Sequence, residues 1–148
     1  MAQERGMTLS LPLKRTLALA LVIAAGFLLR AYGPKYGVPA FWVKFGGSAL
    51  WAAMYFFFFG LLFRARPREQ VLYIAVLVCT LIEFTKLVHT PALDVFRLTT
   101  AGVWMLGKMF SPWNFLAYGA GLAGAYGLDR LFGAGPAAAK KKSGGRRR

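Results

Sequence analysis

The sequence predicts an all-α, polytopic membrane protein: a bundle of four transmembrane helices with an interfacial or re-entrant helical segment between the third and the fourth. Three observations carry that expectation. Of the 148 residues, 57% are hydrophobic and only 16% are charged, and the charges sit in clumps between long apolar runs, where a soluble domain of this size needs a polar shell. Three of the four apolar runs hold 18 to 20 residues, the length that carries a helix across a hydrocarbon core of ~30 Å. No run alternates as a barrel strand would, and a backbone in lipid must satisfy its own amides, which leaves helices.

Residues 1–15 read as a cytoplasmic segment ahead of the first span, 16–32. That span starts at Thr16 after Lys14 and Arg15 and ends in Arg30, Ala31 and Tyr32. A cleavage site wants small residues after the apolar stretch, so the run is expected to stay as an anchor. The second span, 46–63, is bounded by Arg64, Arg66 and Arg68, and the third, 71–88, carries Glu83 and Lys86 in its second half. Residues 91–109 are too polar to cross and too apolar for an ordinary loop. There Thr90 can cap a helix, Pro91 suits its first position and Asp94 complements its dipole. Leu93, Phe96, Thr100 and Val103 share one face of this segment at helical spacing. The fourth span, 113–132, ends near Asp129 and Arg130. Residues 133–148 form a low-complexity basic tail, expected to be disordered.

The net charge of +14 comes from 19 Lys+Arg against 5 Asp+Glu, and its distribution sets an orientation. With a cytoplasmic N-terminus, 13 of the 19 basic residues face inward, so both termini are expected in the cytoplasm. The partners that follow are the bilayer itself and, at the tail, anionic lipid. The tail has no aromatic residue interleaved for base stacking, so nucleic acid is not the expected partner. One cysteine and one histidine build neither a disulfide nor a zinc site, and no metal or cofactor is expected.

Ionisable residues at membrane depth point to function, because a charge there costs roughly 2.5 to 3.5 kcal/mol on insertion scales. Counted from the cytoplasmic ends at 1.5 Å per residue, Arg30, Ser48, Glu83 and Tyr118 fall within about 18 to 22 Å, in one layer. The candidate intramembrane polar site is therefore Arg30, Ser48, Glu83, Lys86 and Tyr118, with an Arg30–Glu83 ion pair across the bundle. The alternative pairs Glu83 with Lys86 at i,i+3 and leaves Arg30 snorkelling at the end of its helix. A second candidate, on the outer face, groups His89, Asp94 and Arg97. In the fourth span Ala117, Gly121, Gly124 and Ala125 belong to ridges of small residues four apart, which bring helices close within the chain or between two copies.

The order of these residues resembles an uncharacterised family of small bacterial integral membrane proteins, domain of unknown function 2809, distantly similar to the VanZ proteins. The resemblance runs from about Leu17 to Phe132. It rests on GFLLR with Arg30, GGSALWAAMY with Gly47 and Trp51, IEFTKL with Glu83, LDVFRLTTAG with Asp94 and Arg97, LGKMF with Gly107, and AYGAG with Tyr118. The chain departs from that pattern at Ser48 and Asn114, where acids are common, and at Lys86, where glutamine is frequent. The resemblance implies a multi-pass protein of the bacterial cytoplasmic membrane, with no established reaction and, by analogy with VanZ proteins, an envelope role.

The sequence holds no recognised nucleophile motif, metal spacing or phosphate loop. A non-enzymatic envelope protein that binds or steadies a partner is the first expectation. A membrane enzyme or transporter using Arg30 and Glu83 is the second, and tail-mediated binding of anionic lipid or RNA the third.

Overall fold

A computed structural model describes residues 9–107 and 109–133; residues 1–8, Lys108 and the 134–148 tail lie outside the described residues, and with them the tail's expected lipid contact. All regular structure among the described residues is helical: α1 (Leu11–Tyr32), a 3-10 turn (Pro34–Tyr36), α2 (Ala40–Leu62), α3 (Arg68–Thr85), α4 (Pro91–Leu98), α5 (Thr100–Met105) and α6 (Trp113–Gly133).

The boundaries move where polar residues misled. Helix α1 begins at Leu11, five residues before Thr16, because Pro12 opens its first turn and Lys14 and Arg15 continue the helix. Helix α2 begins at Ala40 behind Pro39, so Lys44 lies inside it and does not mark its edge. Helix α3 stops at Thr85, short of Val88. The chain turns through Lys86 to Thr90, and the Thr90 hydroxyl accepts from Leu93 N–H to open α4 on Pro91. Thr99 repeats the device, accepting from Gly102 N–H at 3.0 Å. The 91–109 segment is therefore two short helices meeting at Thr99.

Helix α2 is the hub, packed against α1, α6 and α3. The core it builds with them is Ala18, Ala52, Ala53, Phe56, Phe57, Val71, Ala75, Cys79, Tyr118, Leu122 and Ala125. Alanines facing alanines let the backbones close in, and Phe56 and Phe57 fill what remains. Contact between α1 and α6 is slight.

Burial is inverted relative to a water-soluble domain. Leu21 on α1, Phe58 on α2, Tyr73 on α3, and Leu116 and Leu131 on α6 are 48% to 72% exposed, whereas Glu83 and Asp129 are 0% exposed. Two helices, α1 and α2, are long and apolar enough to cross a membrane. Helices α3 and α6 carry more polar residues, of which Glu83 on α3 and Asn114 and Asp129 on α6 are buried, whereas Glu69, Gln70 and Arg130 near the opposite end are exposed.

The small-residue ridges of α6 do not all pack, and α6 is not the central helix. Ala117 and Ala125 are buried, and a Cβ on Gly121 would lie 2.0 Å from the carbonyl oxygen of Ala49 on α2. Gly124, and with it Gly119 and Gly127, faces open space, because those ridges lie on the far side of the helix from α2. Gly121→Leu is therefore expected to wedge α2 from α6 at a cost of about 1 to 3 kcal/mol or more, and Gly124→Leu to leave stability within about 0.5 kcal/mol. Thermal unfolding of the two variants in one detergent compares them; equal melting temperatures would refute the assignment of the packed face.

Candidate functional site

At the end of the bundle covered by α4 and α5, the Glu83 carboxylate is the centre of a buried network. Its Oε1 accepts from Ser111 N–H at 2.9 Å and Asn114 Nδ2 at 3.0 Å. Its Oε2 accepts from Lys86 Nζ at 2.6 Å, Tyr118 OH at 2.8 Å and Asn114 Nδ2 at 3.2 Å. Five contacts fill the roughly four lone-pair directions of an ionised carboxylate. Helix α3 supplies Glu83 and, from its C-cap, Lys86; α6 supplies Asn114 and Tyr118 one turn apart; the α5–α6 connection supplies Ser111.

The expected Arg30–Glu83 ion pair is not formed. Glu83 pairs with Lys86 at i,i+3, because Lys86 reaches the carboxylate from its own chain segment, while Arg30 lies across α2. A Cβ on Gly47 would sit 2.9 Å from Arg30 Nε, so any side chain there would push the guanidinium from this position. Ser48 donates to Lys44 O on its own helix at 3.1 Å and does not serve Glu83.

Four of the five candidate residues nevertheless meet. Arg30, Ser48, Lys86 and Tyr118 line one cavity of about 30 Å³, together with Trp51, Trp104, Leu106 and Gly107. That is room for a water molecule or two. The buried indole N–H of Trp51 has no hydrogen-bond partner, and neither does Asn114 Oδ1. Gly107, at φ 71°, holds a left-handed turn that leaves its face open to the Lys86 ammonium. Beside this pocket, a cleft of about 320 Å³ is lined by Arg30, Lys44, Ser48, Lys86, Val103, Gly107, Met109 and Asn114.

His89, Asp94 and Arg97 do come together. Asp94 Oδ1 lies 3.3 Å from His89 Nδ1 and accepts from Arg97 at 3.1 Å. Arg97, however, is buried and turned toward α3, donating to the carbonyls of Val88 at 2.8 Å and of Thr85. It caps the C-terminal carbonyls of α3 and straps α4 onto the bundle. His89 is exposed and lines neither cavity.

A second buried pair lies at the opposite end, between Arg15, which the sequence presents as a marker of orientation, and Asp129, which it presents only as the end of the fourth span. Arg15 on α1 grips Asp129 on α6 through Nε–Oδ1 at 2.6 Å and a second nitrogen to Oδ2 at 2.9 Å. Its remaining nitrogen donates to Gly60 O on α2 at 2.7 Å, and Arg68 on α3 approaches Oδ2 at 3.7 Å. Nearby, at the solvent-facing first turn of α3 ahead of Val71, Glu69 accepts from Tyr126 OH at 3.0 Å. Its carboxyl is held below the usual carboxylate range by its own backbone amide and by that hydroxyl. Among the described residues no cluster of three His, Cys, Asp or Glu could hold a metal.

The whole Glu83 network falls within residues 38–122, which match the model of a family described as protein of unknown function (DUF2809). The chain belongs to that family. The DUF2809 match takes in Ser48, Glu83, Lys86, Arg97, Ser111, Asn114 and Tyr118, so it holds the network and its strap. It begins at Val38, after α1, and ends before Asp129, which leaves Arg30 and the Arg15–Asp129 pair outside the matched stretch. No solved structure matches the chain. The DUF2809 description assigns no reaction.

Proposed function

We propose that this protein is a four-span membrane protein of the bacterial cytoplasmic membrane, with both termini cytoplasmic, that works by binding an envelope component and not by catalysis. The observation that carries this reading is the inversion of burial. The two buried carboxylates of α3 and α6, Glu83 and Asp129, are paired with Lys86 and Arg15 inside the bundle, while all four long helices expose large apolar side chains. Helix α6 has 21 residues, about 32 Å at 1.5 Å per residue and enough for a hydrocarbon core, and α3 has 18, about 27 Å, with its first turn at the inner interface and the Lys86–Thr90 turn completing the crossing. On α4, Val95 and Leu98 are exposed beside the polar Asp94 and His89, as suits a helix lying in the outer interface.

Binding is favoured over catalysis because Glu83, the one acid at the covered end's core, has no free lone pair with which to take a proton. The same saturation weakens a proton-coupled transporter. The cationic cleft above it is the surface left to meet a ligand.

The topology is tested by cysteine accessibility in oriented membranes. In a Cys79→Ser background, Arg66→Cys is expected to react only from the cytoplasmic side, and Tyr36→Cys and His89→Cys only from the other. Labelling of residues 36 and 66 from one side would overturn the four-span arrangement.

A further inference from the structure

Four of the five carboxylates in the chain are described, and each is committed: Glu69 to Tyr126, Glu83 to Lys86 and its neighbours, Asp94 to Arg97 and His89, Asp129 to Arg15. That leaves a charge imbalance at the covered end. Arg30, Lys44 and Lys86 line one cleft of about 320 Å³, and only Lys86 has an acidic partner among the described residues. Arg30 is half-buried and Lys44 is exposed, its ammonium 5.0 Å from the centre of the Phe45 ring, so the cleft presents two cations with no acid opposite them among the described residues.

We propose that this cleft binds a phosphate-bearing anion, gripped by the Arg30 guanidinium with Lys44 and Lys86 as point charges. This deepens the binding role proposed above and rests on it. A guanidinium presents a planar fork that matches two phosphate oxygens. Arg30 is set for this by Gly47, whose missing side chain leaves the guanidinium its bed. The Trp51 indole N–H, which has no hydrogen-bond partner, lies in the adjoining 30 Å³ pocket and not in the cleft itself. A second cavity, of about 490 Å³, shares Arg30, Lys44 and Val103 with the cleft and is otherwise lined by Pro34, Val38, Ala40, Val43 and Trp104 apart from backbone. Cations at the mouth of an apolar groove suit a phosphate that carries a hydrocarbon substituent. The shared chemistry is the phosphate ester; a lipid headgroup and a soluble ester are its two sources.

The full chain in neutral detergent tests this by thermal shift and native mass spectrometry. One arm adds inorganic phosphate or glycerol 3-phosphate, and the other dopes the micelles with phosphatidylglycerol or, as the uncharged control, phosphatidylcholine. The expected result is stabilisation by an anionic phosphate ester, weakened about tenfold or more by Arg30→Gln and also by Gly47→Leu, which displaces the guanidinium and keeps the charge. Without ligand, Arg30→Gln is expected to melt no lower than the parent, which separates loss of the site from loss of the bundle. Response to the soluble esters assigns the free anion as the source, and response to phosphatidylglycerol alone assigns the headgroup. A chain ending at Gly135 should respond as the full chain does, since the basic tail is a separate lipid contact. No response in either arm, equal response to phosphatidylcholine, or a response that survives Arg30→Gln and disappears with the tail would overturn the proposal.

Discussion

Asp129→Asn is expected to be among the most destabilising single changes in this protein, at about 3 to 5 kcal/mol, although it alters one atom type on one side chain. Asp129 is 0% exposed and Arg15 nearly so, and the two meet through a bidentate contact. The pair does more than cancel charge. Arg15 also donates to Gly60 O, so one guanidinium joins α1, α2 and α6, and it supplies a tie between α1 and α6 that little other packing provides. An asparagine at 129 would turn an amide nitrogen toward Arg15, with a second cation, Arg68, close by. Arg15→Gln should cost a similar amount by leaving the carboxylate alone. The double change Arg15→Met with Asp129→Leu removes both charges and should recover most of the loss, because burying the pair is itself expensive. Thermal unfolding of the four proteins in one detergent compares the broken pair with its apolar replacement. Single variants within about 1 kcal/mol of the parent would mean that water reaches the pair.

The reason this pair escaped the sequence reading is physical. Basic residues near the end of an apolar run ordinarily snorkel to the headgroups, and counting Arg15 and Arg130 as topology markers follows from that habit. A signal was present. Ala117, Gly121, Ala125 and Asp129 are spaced by four, so the acid continues the ridge of small residues that packs on α2. A carboxylate on the packing face of a helix must find a buried partner. Depth was legible where azimuth was not: residue counting brought Arg30, Ser48 and Tyr118 to one level, and they line one pocket. Which of two cations faces Glu83 depends on helix rotation, which spacing along a single helix cannot fix across a bundle. Ser111 is not legible as a ligand because it acts through its backbone amide, which only the fold brings over Glu83, and Asn114, in the first turn of α6, stands out in the sequence only as a departure from the family pattern. The Thr90–Pro91 helix start was legible in full, since a cap is local chemistry.

Glu83→Gln is the other change of largest expected effect, again about 3 to 5 kcal/mol, and it separates a holding role from a chemical one. The carboxylate meets donors on every side: Ser111 N–H and Asn114 at Oε1, Lys86, Tyr118 and Asn114 at Oε2. Glutamine offers one acceptor oxygen and one donating NH2 group. If its oxygen takes Lys86 and Tyr118, its NH2 group faces the Ser111 amide, donor against donor. The reverse placement puts NH2 against an ammonium. Either way Lys86, buried at 6% exposure, loses its counter-charge. The variant should therefore fall in abundance and in melting temperature together, and any envelope phenotype should fall in proportion to the protein present. Adding Lys86→Met should restore part of the stability, since it removes the stranded cation, whereas a general base would not be rescued by losing a neighbouring lysine. A Glu83→Gln protein that accumulates normally, melts normally and has lost its phenotype would make Glu83 a chemical residue. In that case the saturated carboxylate would have to exchange at least one of its five contacts for substrate, and Tyr118 or Lys86, the two donors that also line the small cavity, would be the contacts to move.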